Sequence, residues 1–194
     1  MGKKEYVDKD IFELIRKKEY NQIPGWLWFF VWKSDSVWSW LVNILLAFVL
    51  IKFLVYPGLG LLLNTSYPIV AVVSGSMEHD GSFDDWWLSG SICDGHRCTQ
   101  AEYYSTYNIS KDDFLEYRFK NGFNKGDIMI ISNPEPENIK VGDVLVFKSI
   151  RPEPIIHRSI KVWNEDEKFY FQTKGDHNTN SYSSLGESRI PEDR

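Results

Sequence analysis

The sequence predicts a small, mainly antiparallel β-domain behind an N-terminal transmembrane helix. Three observations carry this: an apolar run over residues 37–56, short β-branched segments after residue 126, and turn-forming clusters between those segments. At 194 residues the chain suits an anchor plus one modest domain. The expected boundaries are a cytoplasmic or interfacial leader at 1–36, an anchor at 37–63 and an extracytoplasmic β-domain at 64–194. An insertion at about 78–125 interrupts that domain.

The leader carries Lys3, Lys4, Lys9, Arg16, Lys17, Lys18 and Lys33, whereas no lysine or arginine follows the apolar run until Arg97. Basic residues stay on the cytoplasmic side, so the N-terminus is expected there and the rest outside. The patch from Ile23-Pro24-Gly25-Trp26 to Trp32 is too short to span a bilayer and reads as an interfacial segment. Trp26, Trp28, Trp32, Trp38 and Trp40 crowd here, as suits rings that prefer the headgroup region. The run at 37–56 is interrupted only by Ser39, Asn43 and Lys52 and is long enough for one crossing. Lys52 is placed to snorkel. Pro57 and Gly58 then punctuate the helix, and 59–63 extend the apolar stretch past a bend. A charged leader precedes the run, so it does not read as a cleavable signal peptide.

After the anchor the pattern becomes extended. The run 69–73 is β-branched, and 127–131, 143–147, 155–163 and 168–172 read as strands. Asn133-Pro134-Glu135-Pro136, Arg151-Pro152-Glu153-Pro154 and Asn164-Glu165-Asp166 separate them. Within the insertion, Ser110-Lys111-Asp112-Asp113 predicts the cap of a short helix. Trp86-Trp87 has two open readings, dipping into the membrane surface or filling a satellite core. Cys93-Asp94-Gly95-His96-Arg97-Cys98 suits a disulfide-closed tight turn, with reduced thiols as the alternative. A zinc site would need more ligands than His96 adds, so no metal is expected. The net charge of −5 lacks the clustered cations that phosphate neutralisation requires, which argues against a nucleic-acid partner.

Candidate chemistry comes from Ser76, His157 and Asp176, in that chain order. A serine hydroxyl needs a positioned base, an imidazole can supply it, and a carboxylate on the other ring nitrogen fixes the tautomer. Gly175 permits the close turn that the Asp176 contact requires. Taken singly, each residue has a plainer reading: a turn serine, a core histidine in an apolar strand, a turn aspartate.

Together, Ser74-Gly75-Ser76-Met77-Glu78, Gly142-Asp143-Val144, Ile156-His157-Arg158 and Lys174-Gly175-Asp176 resemble the type I signal peptidase family. Histidine where other members use lysine resembles its archaeal and endoplasmic-reticulum branch. The resemblance covers the anchor from about Val37 and most of the stretch from Ile69 to Asn178, apart from the insertion. It implies a β-domain of signal-peptidase type and a membrane-bound serine endopeptidase that cleaves signal peptides from exported preproteins, with no cofactor. Ser76 would attack, and its N–H with the Ser74 hydroxyl would hold the oxyanion. The substrate would add as a strand along 70–73, which places Val72 and Val73 in its binding site. The implied partners are secretory preproteins, the lipid bilayer and the protein-translocation machinery, and the implied location is the cell or endoplasmic-reticulum membrane.

This sequence departs from the family at three places. An aspartate often follows that of Lys-Gly-Asp by about six residues, and here Tyr182 stands there. His79 replaces a common proline. Relatives continue into another strand where this sequence reads Ile190-Pro191-Glu192-Asp193-Arg194, so the β-domain is truncated or completed differently. These departures keep a non-catalytic, membrane-anchored binding module on the same scaffold as the alternative.

Overall fold

A computed structural model describes residues 11–193 and resolves two compact units, one through Leu62 and one from Leu63. Lys3, Lys4 and Lys9 of the leader lie outside the described residues, as does Arg194.

The first unit is helical. Helix α1 (Ile11–Arg16) precedes a short 3₁₀ turn and α2 (Ile23–Trp32), which has Pro24 in its first turn, where no N–H is missed. Ser36 caps α3 (Val37–Leu50) by accepting from the Ser39 N–H. Two polar side chains of α3 reach back to α2. Ser39 Oγ donates to the Phe30 carbonyl, and Asn43 Nδ2 donates to the Val31 carbonyl at 2.8 Å. The C-terminal end of the 23–32 patch is therefore fastened to the first turns of α3.

Helix α3 does not break at Pro57. It passes through a π turn (Ile51–Val55), where the Tyr56 N–H bonds the Ile51 carbonyl, into α4 (Tyr56–Leu62). A proline lacks the donor and crowds the carbonyl four residues back, and a local π turn absorbs both effects. The result is a 26-residue apolar helix, Val37–Leu62. At 1.5 Å per residue that is about 39 Å, enough to cross a hydrocarbon core. Among the described residues it is the one helix long and apolar enough to do so.

The second unit mixes helix and strand rather than being mainly β, because its insertion folds into helices. All its strand pairs are antiparallel. Strand β1 (Ile69–Ala71) pairs with β4 (Ile128–Ile130), and β2 (Gly90–Cys93) pairs with β3 (His96–Thr99). The main sheet has the order β5 (Val144–Phe147), β6 (Ile155–Glu165), β7 (Lys168–Lys174), β8 (Ile190–Pro191). The insertion contributes α5 (Phe83–Trp87), α6 (Gln100–Ser105) and α7 (Lys111–Glu116), each opened by a capping box from Ser82, Thr99 or Ser110. Trp86 and Trp87 are buried with Tyr104, Phe114 and Ile160, so the insertion builds an aromatic core against the sheet. Cys93 and Cys98 form a disulfide across the β2–β3 hairpin, whose Asp94-Gly95 turn has positive φ at both residues.

Candidate active site

Strand β6 sets the site. Successive side chains of a strand point to opposite faces, so His157 and Arg158 serve different surroundings. His157, 4% exposed, lines a cavity of about 870 Å³ together with Val70, Val73, Ser74, Ser76 and Tyr182. Arg158 turns the other way and lies over the Phe114 ring of the aromatic core. Ile160, two residues on, packs into that core as well, at a register shift between Ser159 and Lys161.

The serine turn is fastened on both sides. Met77 is fully buried beside Val72 and Phe123, and its carbonyl accepts from the Phe123 N–H at 3.0 Å. The Ser76 carbonyl accepts from the His177 N–H at 2.9 Å. The hydroxyls of Ser74 and Ser76 are 3.2 Å apart. Gly175 lies between the serine turn and the histidine. A methyl group there would fall 2.7 Å from the Ser76 carbonyl oxygen and 2.8 Å from His157 Nε2. Only a residue without Cβ allows this approach. Ser76 and His157 thus share one cavity. Among the described residues Ser76 Oγ has Ser74 Oγ, not His157, as its hydrogen-bonding neighbour.

Asp176 is not brought to His157. Its carboxylate, fully buried, sits on the Arg158 side of β6, where it accepts from Arg158 Nη2 at 2.7 Å and Nε at 2.9 Å. The Tyr104 hydroxyl at 3.1 Å and His79 Nε2 at 3.0 Å complete its shell. Burial pushes this carboxyl upward, but the Arg158 charge and the hydrogen bonds from His79 and Arg158 outweigh it and hold the group well below the ordinary range. Burial first, and then the Asp176 charge, raises the Tyr104 phenol, which stays a neutral donor. Arg158 spends its remaining donors on the carbonyls of Arg118, Phe119 and Gly142. Asp176 therefore belongs to a buried ionic knot that ties the insertion to the sheet.

The carboxylate against His157 Nδ1 comes from Glu187, which is also fully buried. Five residues past Tyr182, it returns to the site through a 3₁₀ turn (Ser183–Leu185) and Gly186 in the left-handed region at φ 79°. The sequence marks Glu187 only as the next acid after Asp176. The turn that brings it home has no strong signature.

The oxyanion and substrate residues separate as well. Val72 is buried, with its N–H on the Asp127 carbonyl and its carbonyl accepting from the Gly126 N–H, both at 2.9 Å. Its backbone is thus closed to a ligand. Backbone polarity alternates along an antiparallel strand, so the N–H and C=O of Ala71 and Val73 point to the opposite, unpaired edge of β1. Val73 is 61% exposed there. Lys174, wholly buried, donates to Gln100 Oε1 at 2.8 Å and the Gly175 carbonyl at 3.1 Å, and burial pulls its ammonium down to about 7.

The signal peptidase complex catalytic subunit SEC11 of Komagataella phaffii is 31% identical over 139 residues, covering 69% of this chain and 56% of that protein. The corresponding subunit of Scheffersomyces stipitis is 28% identical over 65% of this chain and 51% of its own length. Its homologues are signal peptidase catalytic subunits. These are endoplasmic-reticulum members of the type I signal peptidase family, the branch that the Ser-Gly-Ser-Met and Ile-His-Arg motifs resemble. Human signal peptidase complex catalytic subunit SEC11C, 28% identical, extends the likeness over 64% of this chain and 44% of that protein. The chain spans about half the length of the curated relatives it matches. No family model matches the chain, and no solved structure matches it significantly.

Proposed function

We propose that this chain is a membrane-bound serine endopeptidase that removes signal peptides from secretory preproteins, on a β-domain of signal-peptidase type. The observation that carries the reading is the convergence of Ser76, His157 and an open strand edge on one cavity, in a chain homologous to signal peptidase catalytic subunits.

The substrate chain lies along Ala71 and Val73, whose backbone groups are free to pair with it. Ser76 Oγ adds to the scissile carbonyl as His157 Nε2 takes its proton. The Ser76 N–H and the Ser74 hydroxyl hold the oxygen that gains charge. The tetrahedral adduct collapses as His157 returns the proton to the departing amine, leaving the signal peptide as an ester on Ser76. Water, deprotonated by the same imidazole, then releases it. Ser76 Oγ rests beside Ser74 Oγ in the free protein, and catalytic contacts of this kind tighten when substrate binds.

The bilayer is the working surface. The helix Val37–Leu62 anchors the chain, and residues 63–75 tether the site to it. The β1–β4 pair also presents exposed Ile69, Ile128 and Ile130, an apolar face suited to lipid. The basic leader stays in the cytoplasm, and the Cys93–Cys98 disulfide fits an oxidising compartment on the other side. Its relatives' names point to a signal peptidase complex as the setting, which this reading places in the endoplasmic-reticulum membrane beside the translocation machinery. The purified full chain in liposomes should release a mature N-terminus from a secretory preprotein, read by mass, and Ser76→Ala should not. Cleavage that survives Ser76→Ala would remove the assignment.

A further inference from the structure

We infer that Glu187 is the positioning residue of the catalytic pair, doing for His157 what the sequence had assigned to Asp176. The inference rests on the endopeptidase reading and specifies one residue of its site. Glu187 Oε1 accepts from His157 Nδ1 in a wholly buried contact. An ionised carboxylate only accepts hydrogen bonds, so the Nδ1 proton is held in place and the lone pair is left on Nε2, the nitrogen beside Gly175 on the Ser76 side. Among the described residues no other carboxylate contacts His157.

The carboxylate is itself held. Its second oxygen accepts from the Tyr182 N–H at 2.7 Å, and its backbone carbonyl accepts from the Thr173 N–H of β7 at 3.0 Å. Tyr182 thus contributes its amide, where an acidic side chain would stand in relatives, and the turn over Ser183–Leu185 supplies the acid from farther along the chain. Asp176 cannot exchange roles with it, because both of its oxygens are committed to Arg158, Tyr104 and His79.

In the step concerned, Ser76 Oγ–H breaks as the Oγ–carbon bond forms, the proton moves to Nε2, and the Glu187 charge stabilises the imidazolium. No proton passes to Glu187. The test uses the full chain in detergent with a preprotein substrate, and thermal unfolding confirms that each variant folds. Glu187→Gln, which can donate to Nδ1 and trap the wrong tautomer, should lower kcat by about 10²–10⁴-fold with KM little changed. Glu187→Asp should retain more of the rate than Glu187→Gln, and added formate should partly restore Glu187→Ala. A Glu187→Gln enzyme at the wild-type rate overturns the inference. So does loss of rate that neither Glu187→Asp nor formate relieves. Ser76→Ala, run in parallel, separates the two levels: if Ser76→Ala is inactive while Glu187→Gln is unaffected, only the role of Glu187 falls.

Discussion

Gly175 sits tightly between the serine turn and the histidine strand. Gly175→Ala should push the Ser76 backbone and the His157 ring apart and cost about 10²-fold in kcat, the scale expected of an ångström-sized misplacement. Steady-state cleavage with an unfolding control checks this. Arg158→Ala acts differently, since it strands a buried Asp176 carboxylate and should destabilise the domain by about 3–5 kcal/mol in denaturant titration. Lys174 sets a pH dependence. Its ordinary value of 10.5 falls to about 7 in the folded protein. Between about 7 and 10.5 the unfolded chain binds the extra proton, so stability rises with pH across that window. Lys174→Met should flatten that rise, as read from unfolding midpoints at several pH values.

At the scale of the element, strand β1 gives one edge of its backbone to β4, and the proposed mechanism gives the other to substrate. Amide hydrogen exchange should find Val72 protected in the free protein, with Ala71 and Val73 becoming protected only when a signal-peptide substrate binds Ser76→Ala. No added protection at Ala71 and Val73 would remove strand addition from the mechanism. Much of this element structure was legible in the sequence: β-branched runs bounded by Pro, Asn and Gly marked β4 to β7, and Ser110 marked the cap of α7. Ser76 and His157, which the structure brings to one cavity, were legible as candidates because a turn serine and a strand histidine carry local motifs. The partner of His157 could not. Alternation along β6 turns Arg158 to the face opposite His157, where it takes Asp176, and a non-local turn delivers Glu187, which no residue near His157 announces. The π turn before Pro57 escaped as well: the sequence marks a bend at Pro57-Gly58, and the helix passes through it by a local π turn.

For the whole molecule, deleting Val37–Leu62 should turn an integral membrane protein into one released by mild washing, as followed by fractionation. Any residual binding to vesicles should disappear with Ile128→Ser and Ile130→Ser, which remove the exposed apolar face of β4. Anchor, edge strand and cavity serve one proposed event, proton transfer from Ser76 to His157 during attack on a preprotein held by the same membrane. The decisive measurement is preprotein cleavage by wild type, Ser76→Ala, His157→Ala and the double variant, compared as rates. Residues that act as a unit are not additive, so the double variant should be no slower than either single one, and all three should fall by several orders of magnitude. Wild-type rates in either single variant, or losses that multiply in the double, would contradict the account.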